Sequence, residues 1–425
     1  MKTNEFDNDR FVAAVAQMPT DALSTARQEA ASGFLRSGFP TTRHEDWRYT
    51  NLADAIDVSN RWLRELPANS QTSVSSDKPG NIDAYWVQVH NGLADCTQTA
   101  LPVGVSLSRL ANDVEDGDVR TDTSLRQLNT ALLLDGIRVT IDTGVVLDKP
   151  LGFLFIDSSD SGDTVTQNRL RVIAGPGASA SIIEAHESHG ADKNYSNIVV
   201  DVELAADSKL DYLRIQQRAR HHIQTNSFSA RILERAELQH HSFDLGGSLT
   251  RNELVADLVG CDATVGMFGL FLAGQSQHID NHTKVIHSVG PTASKEEYRG
   301  ILNRKSKGVF NGKAVVREGA DGTDAQQANH NLLLSGDSEV DTKPELEIYA
   351  DDVKCSHGAT VGQLDKTALF YLRSRGLDLA SATALLTRAF AARLLSNMPL
   401  DAAAEHLSNI VDVRLNQLIS DTDHD

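Results

Sequence analysis

Four triplets in the middle of the chain decide the fold: Ala180-Ser181-Ile182, Ser208-Lys209-Leu210, Ala236-Glu237-Leu238 and Ala263-Thr264-Val265. In each triplet a small residue, then any residue, then an apolar residue follows a turn of Gly, Ala or Asp. Successive triplets begin 28, 28 and 27 residues apart. A near-constant step of this length is typical of a solenoid, in which each coil of short strands stacks on the coil before it. The repeat therefore favours a parallel β-helix, with a two-sheet sandwich as the alternative.

The region around the triplets, from about residue 85 to residue 349, has the pattern of β-strands. Short runs rich in Val, Ile, Leu and Thr are separated by Gly, Asp, Asn and Ser, as in Ile137–Ile141, Leu170–Ile173 and Ser196–Val202. Apolar residues alternate with polar ones in these runs, which indicates strands with one buried face. Long amphipathic helices are missing here, and this disfavours a doubly wound α/β fold.

The N-terminal part predicts helix. Apolar residues recur at helical spacing from Phe11 to Leu35, and Gly38, Phe39 and Pro40 then end the helix. The charged and aromatic stretch Arg43–Thr50 is interpreted as a helix–loop junction in which aromatic rings pack while the charges stay in water. The stretch Pro67–Gly80 is rich in Ser, Pro and Gly, which is typical of a linker.

The C-terminal part predicts three helices. Lys366–Arg373 begins the first, Gly376 closes it, and Asp378 is a candidate N-cap for a second helix through Leu395. A third runs from Asp401 to about Ile419, before an acidic tail. The second helix carries an apolar face that packs on its own domain or docks in a partner's groove: Leu385, Leu386, Ala389, Phe390 and Leu394. The predicted domains are an N-terminal helical region with its linker, a β-helix core and a C-terminal helical domain, at 1–80, 81–362 and 363–425.

Charge and hydropathy restrict the partners and the location. The 425 residues contain 40 Lys plus Arg against 58 Asp plus Glu, a formal net charge of −18. Such an excess repels phosphate backbones and anionic lipids, so neither nucleic acid nor membrane is an expected partner. The start, Met1–Asp7, lacks an apolar signal core, which predicts a cytoplasmic protein. The longest nearly apolar run, Val265–Ala273, is far shorter than the roughly 20 residues that a membrane helix needs.

Cysteine usage and nucleotide motifs exclude further classes. Three scattered cysteines, Cys96, Cys261 and Cys355, are too few for a disulfide framework or a four-thiolate metal site on one chain. Metal chemistry would therefore use histidines, carboxylates or a second protein. The chain has no phosphate-loop motif, and Gly175–Ser179 lies in a turn between strands, so no ATP site is expected.

The stretch Asp351–Gly358 contains the strongest candidate metal ligands, Cys355 and His357. On a strand, residues two apart point to the same side. Thiolate and imidazole together suit iron, zinc or copper, but two ligands form only half a site. The remaining ligands would come from elsewhere in the fold or from another subunit. The alternative is a buried cysteine beside a hydrogen-bonded histidine.

A second cluster combines His278, Asp280 and His282 on one face of a predicted strand, with His287 on the other face. These residue types could ligate a metal, and a self-contained metal-dependent enzyme is the alternative function that they suggest. Polar ladders along one face of a β-helix have the same pattern. The adjacent pairs His221-His222 and His240-His241 are predicted to point to opposite sides of their strands, which argues against a joint site from either pair.

One set of motifs extends from the N-terminal part to the C-terminal helices: Phe39-Pro40, Trp47–Thr50, His278–Thr283, Tyr298–Ile301, Gly308–Lys313, Asn331–Ser335, Lys343–Ile348, Tyr349–Gly362 and Leu369–Gly376. In these motifs the chain resembles the SufB/SufD family of the Suf iron–sulfur cluster assembly system, most densely over Gln277–Gly376. The stretch Cys355-Ser356-His357-Gly358-Ala359-Thr360 is closer to the SufD branch, because SufB chains tend to read Glu-His-Glu-Ala-Thr there and tend to carry more cysteines.

The resemblance implies a right-handed parallel β-helix flanked by helical regions, acting as a scaffold and not as an enzyme. A SufB-like subunit would pair with the β-helix, and the chain alone would pair with itself. A SufC-like ATPase would supply the ATP site and bind the C-terminal helices, for which the candidate docking residues are Leu369, Phe370, Tyr371, Leu385 and Phe390. The implied cargo is a transient iron–sulfur cluster shared with SufB. His357 corresponds to the family histidine that faces SufB and helps to bind the nascent cluster, with Cys355 beside it. Family complexes also associate with reduced flavin, for which no residues of this sequence are assigned.

Overall fold

The computed structural model of the chain describes residues 5–65, 82–95, 100–115, 117–159, 162–396, 398 and 400–420. The linker predicted at 67–80, Cys96 and the acidic tail at 421–425 lie outside the described residues. The described chain forms a β-solenoid of about seven turns with helices at both ends. The predicted β-helix core with flanking helical regions is therefore confirmed.

The strands follow one another with few interruptions through the middle of the chain. In chain order they are β1 (Tyr85–His90), β2 (Leu93–Asp95), β3 (Val105–Arg109), β4 (Ile137–Ile141), β5 (Leu151–Ser158), β6 (Thr164–Ala174), β7 (Ser179–His189), β8 (Asn194–Leu204), β9 (Lys209–Gln216), β10 (Ile223–Ile232), β11 (Glu237–Asp244), β12 (Leu249–Leu258), β13 (Thr264–Ala273), β14 (His278–His287), β15 (Ala293–Leu302), β16 (Lys307–Val316), β17 (Asp324–Leu333), β18 (Glu339–Ile348) and β19 (Lys354–Gly362).

Two sheets face each other across the lumen of the solenoid. Sheet A has the order β19-β17-β15-β13-β11-β9-β7-β5-β1-β2, and sheet B has the order β18-β16-β14-β12-β10-β8-β6-β4-β3. Each coil adds one strand to each sheet, and neighbouring coils pair in parallel. Alternate residues of each strand point into the lumen, where an apolar core includes Tyr212, Phe228 and Leu254. At the N-terminal end, the antiparallel strands β2 and β3 close the two sheets.

The register corrects the first of the four triplets. Leu210, Leu238 and Val265 occupy one column of paired residues, as the repeat predicts. Leu210 pairs with Ala180, however, and not with Ile182, so the first coil is two residues longer than the predicted step. A shift of two residues keeps the same face buried, because side chains alternate with period two. The apolar pattern therefore could not reveal this difference.

The helices lie at the two ends of the sequence, apart from one short helix after β3. They are α1 (Asn8–Ala16), α2 (Ser24–Ser37), α3 (Ala53–Glu65), α4 (Ser124–Ala131), α5 (Lys366–Ser374), α6 (Leu379–Leu395) and α7 (Asp401–Ser420), with a 3-10 turn at Glu45–Trp47. Asp378 caps α6 as predicted, since its carboxylate accepts a hydrogen bond of 2.7 Å from the Ser381 backbone N–H. No described helix is long and apolar enough to cross a membrane.

The single N-terminal helix predicted from Phe11 to Leu35 is wrong, because the chain breaks between α1 and α2. Pro19 has no backbone N–H to continue the helix. Asp21 then holds the turn, since its carboxylate accepts from the Leu23 N–H at 2.9 Å and pairs with the buried Arg27 at 2.7 Å. The predicted end at Gly38 is confirmed, where φ is +65°.

The helices cover parts of the outer faces of the solenoid. Apolar residues of α6 and α7, among them Leu394 and Leu407, pack on the outward side chains of sheet A, such as Ile215. The helices α1 to α4 cover sheet B in the same way, with Phe34 and Tyr195 in one cluster. Helical layers therefore pack on both sheets of the stacked solenoid.

Candidate functional site

The solenoid is open at its C-terminal end. In sheet A the last strand is β19 and in sheet B it is β18, and among the described residues no further strand pairs with either. Side chains of β18 are half-buried or exposed, and those of β19 are exposed except for a half-buried Cys355. Unpaired strand edges present free backbone N–H and C=O groups, which are ready to bind another chain. We refer to the surface formed by β18 and β19 as the open end.

Cys355 and His357 lie side by side on the lumen face of the open end. Strand β19 pairs in parallel with β17, so that Cys355 is opposite Ala325 and His357 is opposite Gln327. The same column continues to the lumen-facing Met267. The prediction that the two candidate ligands share a face is therefore confirmed by the register.

The two candidate ligands differ in their surroundings. His357 is exposed, whereas Cys355 is half-buried. Burial raises the pKa of the Cys355 thiol, and the nearby Asp324 carboxylate acts in the same direction. A raised pKa keeps the sulfur protonated near neutral pH, so thiolate would form when a cation arrives.

Beneath the open end, the lumen is polar instead of apolar. The Thr342 hydroxyl donates to Asn329 Oδ1 at 2.8 Å, and the Asn331 amide donates to the same oxygen at 2.5 Å. The Gln327 amide nitrogen donates to Glu296 Oε2 at 2.6 Å. These polar residues were not singled out by the sequence reasoning. They become neighbours only through the stacking of consecutive coils, and of these residues only Asn331 lies in one of the sequence motifs, Asn331–Ser335.

The donor set on this chain is incomplete. Among the described residues, no group of three or more His, Cys, Asp and Glu side chains is arranged to hold a metal ion. Cys355 and His357 thus supply two donors on the lumen face of the last strand, at the open end. Such a pair can take part in binding a soft metal or a cluster only if other ligands are provided from outside.

The cluster of His278, Asp280 and His282 is engaged in holding the N-terminal segment. It lies on the outer face of β14, where Arg251 forms a 2.9 Å ion pair with Asp280. The Thr50 hydroxyl donates to Asp280 Oδ2, and its oxygen lies 2.8 Å from His278 Nε2. We refer to these contacts as the N-terminal clamp.

Electrostatics of the clamp favour a structural role. Burial alone would raise the pKa of Asp280, but the charge of Arg251 and the nearby His282 hold it below its ordinary value. The Arg251 guanidinium also lies over the Trp47 ring, 4.6 Å from its centroid. Because Asp280 is already paired with a cation and a hydroxyl, it is not available as a metal ligand in this arrangement. The cluster therefore has structural contacts, but Asp280 is buried under the N-terminal segment and is not part of an exposed polar ladder.

The other histidines follow the predicted faces with one exception. His287 points into the lumen, opposite to the clamp, and lies 2.7 Å from the Thr292 hydroxyl. His240 stacks on Tyr212 in the lumen while His241 stacks on Phe268 outside. The exception is the pair His221-His222, whose ring centroids lie 4.4 Å apart. These two residues precede β10 in a turn, so the alternation expected for a strand does not apply.

The C-terminal helices present an apolar surface that the described residues leave uncovered. Helix α5 has no buried residue, and Phe370 and Tyr371 are 74% and 56% exposed. Leu385 on α6 is 48% exposed, and Leu369 is half-buried. We refer to these four residues as the apolar helix surface. They are the exposed or half-buried members of the predicted ATPase-docking set that lie on α5 and α6.

Phe390, the fifth member of that set, packs against the solenoid. Its ring lies 4.8 Å from the Arg299 guanidinium, and its backbone carbonyl accepts a hydrogen bond of 3.1 Å from the same residue. Glu297 pairs with Arg299 at 2.9 Å and with Arg393 of α6 at 3.4 Å. This ionic contact joins α6 to β15, two strands before the open end.

The chain matches known protein families and relatives over most of its length. The family model for the SufBD protein N-terminal region matches residues 8–153. The model for the SufBD core domain of the SUF system of FeS cluster assembly matches residues 155–390. The iron–sulfur cluster assembly protein SufD of Escherichia coli (strain K12) is 31% identical over 87% of this chain and 88% of its own length.

Two further relatives carry the SufBD family description. The protein of Synechocystis sp. (strain ATCC 27184 / PCC 6803 / Kazusa) is 29% identical over 93% of this chain and 92% of its own length. The protein of Mycobacterium tuberculosis (strain ATCC 25618 / H37Rv) is 26% identical over 88% of this chain and 89% of its own length. Both are described as iron–sulfur cluster assembly proteins. Because the matches cover most of this chain, the similarity extends over the solenoid and over most of the helical regions.

Proposed function

The chain belongs to the SufBD family of iron–sulfur cluster assembly proteins, and from this premise we propose that it is a SufD-type scaffold subunit without catalytic activity of its own. Its open end would pair with the corresponding end of a SufB-like subunit. Its C-terminal helices would bind a SufC-like ATPase. The cargo would be a nascent iron–sulfur cluster, formed at the junction of the two solenoids and passed on from there.

The observation that carries this proposal is the position of Cys355 and His357 at the open end. Soft donors at an uncovered strand edge are suited to a site that is completed by another chain. The donor count points the same way, since the cluster types common in proteins need four ligands and the described residues offer two at this place. A partner solenoid that pairs with β18 and β19 would bring the missing donors.

The apolar helix surface supports the second contact. Phe370 and Tyr371 expose large rings on a helix that buries none of its residues. Exposed aromatic residues of this kind are common anchors of protein interfaces. An ATPase bound there could pull on the solenoid, because Glu297 links α6 to β15 through Arg393. A stiff body would transmit such a movement to the open end instead of absorbing it.

Location and further ligands follow from the same proposal. We place the protein in the cytoplasm, where reducing conditions would keep Cys261 and Cys355 as free thiols.

Without a SufB-like subunit, two copies of the chain would pair through their open ends. Reduced flavin is included among the proposed ligands of the assembled complex, and an absorption spectrum of the purified complex after oxidation tests it.

The first experiment is purification of the native complex with a tagged chain. SufB-like and SufC-like proteins are expected to come with it in stoichiometric amounts. The His357→Ala variant should assemble the same complex but form fewer clusters during reconstitution with iron and sulfide. The matched control is His330→Ala, because His330 lies on the outward face of the neighbouring strand β17, where it contacts Thr360 at 2.9 Å.

The outcomes separate the alternatives. A low cluster yield with His357→Ala and an ordinary yield with His330→Ala would support a ligand role at the lumen face. Equal yields for both variants would refute that role. Stoichiometric, tightly bound metal with turnover in the isolated chain would instead favour the self-contained enzyme based on His278, Asp280 and His282.

A further inference from the structure

A column of three polar residues leads from the open end into the lumen of sheet A. His357 on β19 pairs with Gln327 on β17, and Gln327 pairs with Glu296 on β15. Paired strands lie about 4.8 Å apart, and paired residues of a parallel sheet point to the same face. The side chain of Gln327 is therefore the one directly behind the exposed His357.

Glu296 fixes the orientation of the Gln327 amide. The amide nitrogen donates to Glu296 Oε2 at 2.6 Å, and both side chains are buried, with 5% and 2% of their residue surface exposed. With its nitrogen turned towards the carboxyl group, Gln327 turns its oxygen away from it. That oxygen is buried and accepts no hydrogen bond from the described residues.

The opposite wall of the lumen leaves space for this amide. A methyl group added at Gly312 of β16 would lie 2.3 Å from Gln327 Nε2 and 2.8 Å from its Cδ atom. The amide thus occupies the space in front of Gly312, where a larger residue would place its side chain. Glycine at 312 therefore gives the Gln327 amide its room, while Glu296 holds its orientation.

Burial of these polar groups needs an explanation beyond packing. In the two preceding coils the same column holds Met267 and His240, and Met267 contributes to the apolar core. Burying an amide oxygen without a hydrogen bond costs about 1–3 kcal/mol, and an apolar side chain at Gln327 would avoid that cost. Burial also raises the pKa of Glu296 to about 7, which reflects the same unfavourable environment for its charge.

We propose that Gln327, held by Glu296 and given room by Gly312, is a positioning residue that orients the His357 ring for cluster binding. When the ring turns into the lumen, an imidazole N–H of His357 donates to the Gln327 oxygen, which the described residues leave without a donor. The other ring nitrogen then faces the partner subunit with its lone pair. Histidines that bind metals usually donate their second ring N–H to such an acceptor, which fixes the tautomer and the ring orientation. This inference rests on the proposed function of His357.

The test compares variants of the full chain that differ at the acceptor. Gln327→Met keeps the size of the side chain and removes the oxygen, whereas Gln327→Glu keeps an acceptor. Gln327→Asn retains polarity but is shorter, and it repeats the test if the methionine variant does not fold. The matched control is Gln326→Met, because Gln326 is exposed on the outward face of the same strand.

The first readout is the tautomer of His357 in the isolated chain, measured by nitrogen NMR with the His357→Ala variant as the assignment standard. We expect one dominant tautomer in the unaltered chain, in Gln327→Glu and in Gln326→Met. A mixture is expected in Gln327→Met and Gln327→Asn. The second readout is the rate of cluster formation in the assembled complex, which should fall about 10-fold in the same two variants.

The outcomes distinguish this inference from the proposed function. An unchanged tautomer in both Gln327→Met and Gln327→Asn would overturn the positioning role, even if His357→Ala lowers the cluster yield. A tautomer that depends on Gln327, combined with a normal yield for His357→Ala, would support the positioning contact and refute the function built on it.

Discussion

Replacing Phe370 by alanine should separate partner binding from folding. Phe370 is 74% exposed on α5, a helix that buries none of its residues, so the isolated chain loses little when this ring is removed. Phe390 on α6 gives the contrasting case. Its ring packs on Arg299 of the solenoid, so its removal should weaken the attachment of α6.

The expected size of the binding effect follows from the exposed area of Phe370, and that of the stability effect from the packing of Phe390. A phenylalanine side chain can bury about 200 Å², of which the exposed part at Phe370 leaves roughly 150 Å² for a partner. At about 25 cal/mol per Å², full coverage is worth up to roughly 3–4 kcal/mol, and an interface anchor commonly contributes at least 2 kcal/mol. Phe370→Ala should therefore weaken ATPase binding by about 30- to 100-fold. Phe390→Ala should lower the free energy of unfolding by about 2 kcal/mol.

Two measurements on each variant test this reasoning. Urea unfolding of the isolated chain reports stability, and titration calorimetry with a SufC-like ATPase reports binding. We expect Phe370→Ala to change the binding constant and leave the unfolding midpoint in place. Docking through α5 is refuted if Phe370→Ala binds the ATPase as tightly as the unaltered chain.

Three further predictions concern the stability of the chain. Asp280→Asn should lower the free energy of unfolding at neutral pH by about 3–5 kcal/mol, because it leaves Arg251 buried without its carboxylate; a loss below about 1 kcal/mol would contradict the clamp. Since the folded pKa of Asp280 is lowered, this contribution is complete above the unfolded value of about 4 and is lost as the pH falls further, so the variant and the unaltered chain should converge in acid. Burial lowers the pKa of His241 to about 4, so the free energy of unfolding should fall as the pH drops from about 6.5 towards that value. His241→Phe should reduce the slope of this pH dependence by up to about 1.4 kcal/mol per pH unit. An unchanged slope in urea titrations would show that His241 titrates normally. Gly312→Ala should cost about 1–3 kcal/mol through contact with Gln327 and with the Phe310 ring, and Gln327→Ala should relieve part of that cost in the double variant; full additivity in a double-mutant cycle would rule the Gln327 contact out.

Much of the fold could be predicted because it depends on local patterns. Alternating apolar residues marked the strands, and Asp378 and Gly38 marked helix ends through the chemistry of their own backbone positions. The two-residue error at Ala180 arose because the same face stays buried after a shift by two. The break at Pro19 was missed because the apolar spacing continues on both sides of it.

The candidate site could be predicted only in part. Period-two alternation was sufficient to place Cys355 and His357 on one face. Their position at the open end depends on how the coils stack, which no single stretch of sequence predicts. The same limit applies to Thr50 and Asp280, which are 230 residues apart in the chain but form a hydrogen bond in the clamp. Such contacts follow from the register of the whole solenoid.

The central claim, that this chain holds half of a site and a partner holds the rest, is tested most directly by iron and sulfide analysis after anaerobic reconstitution. The chain alone, a SufB-like partner alone and the mixture of both with the ATPase should be compared, each with unaltered His357 and with His357→Ala. We expect a cluster in the mixture that decreases with the variant, and none retained by the isolated chain after desalting. A stable, stoichiometric cluster held by the isolated chain through its own side chains would contradict the account.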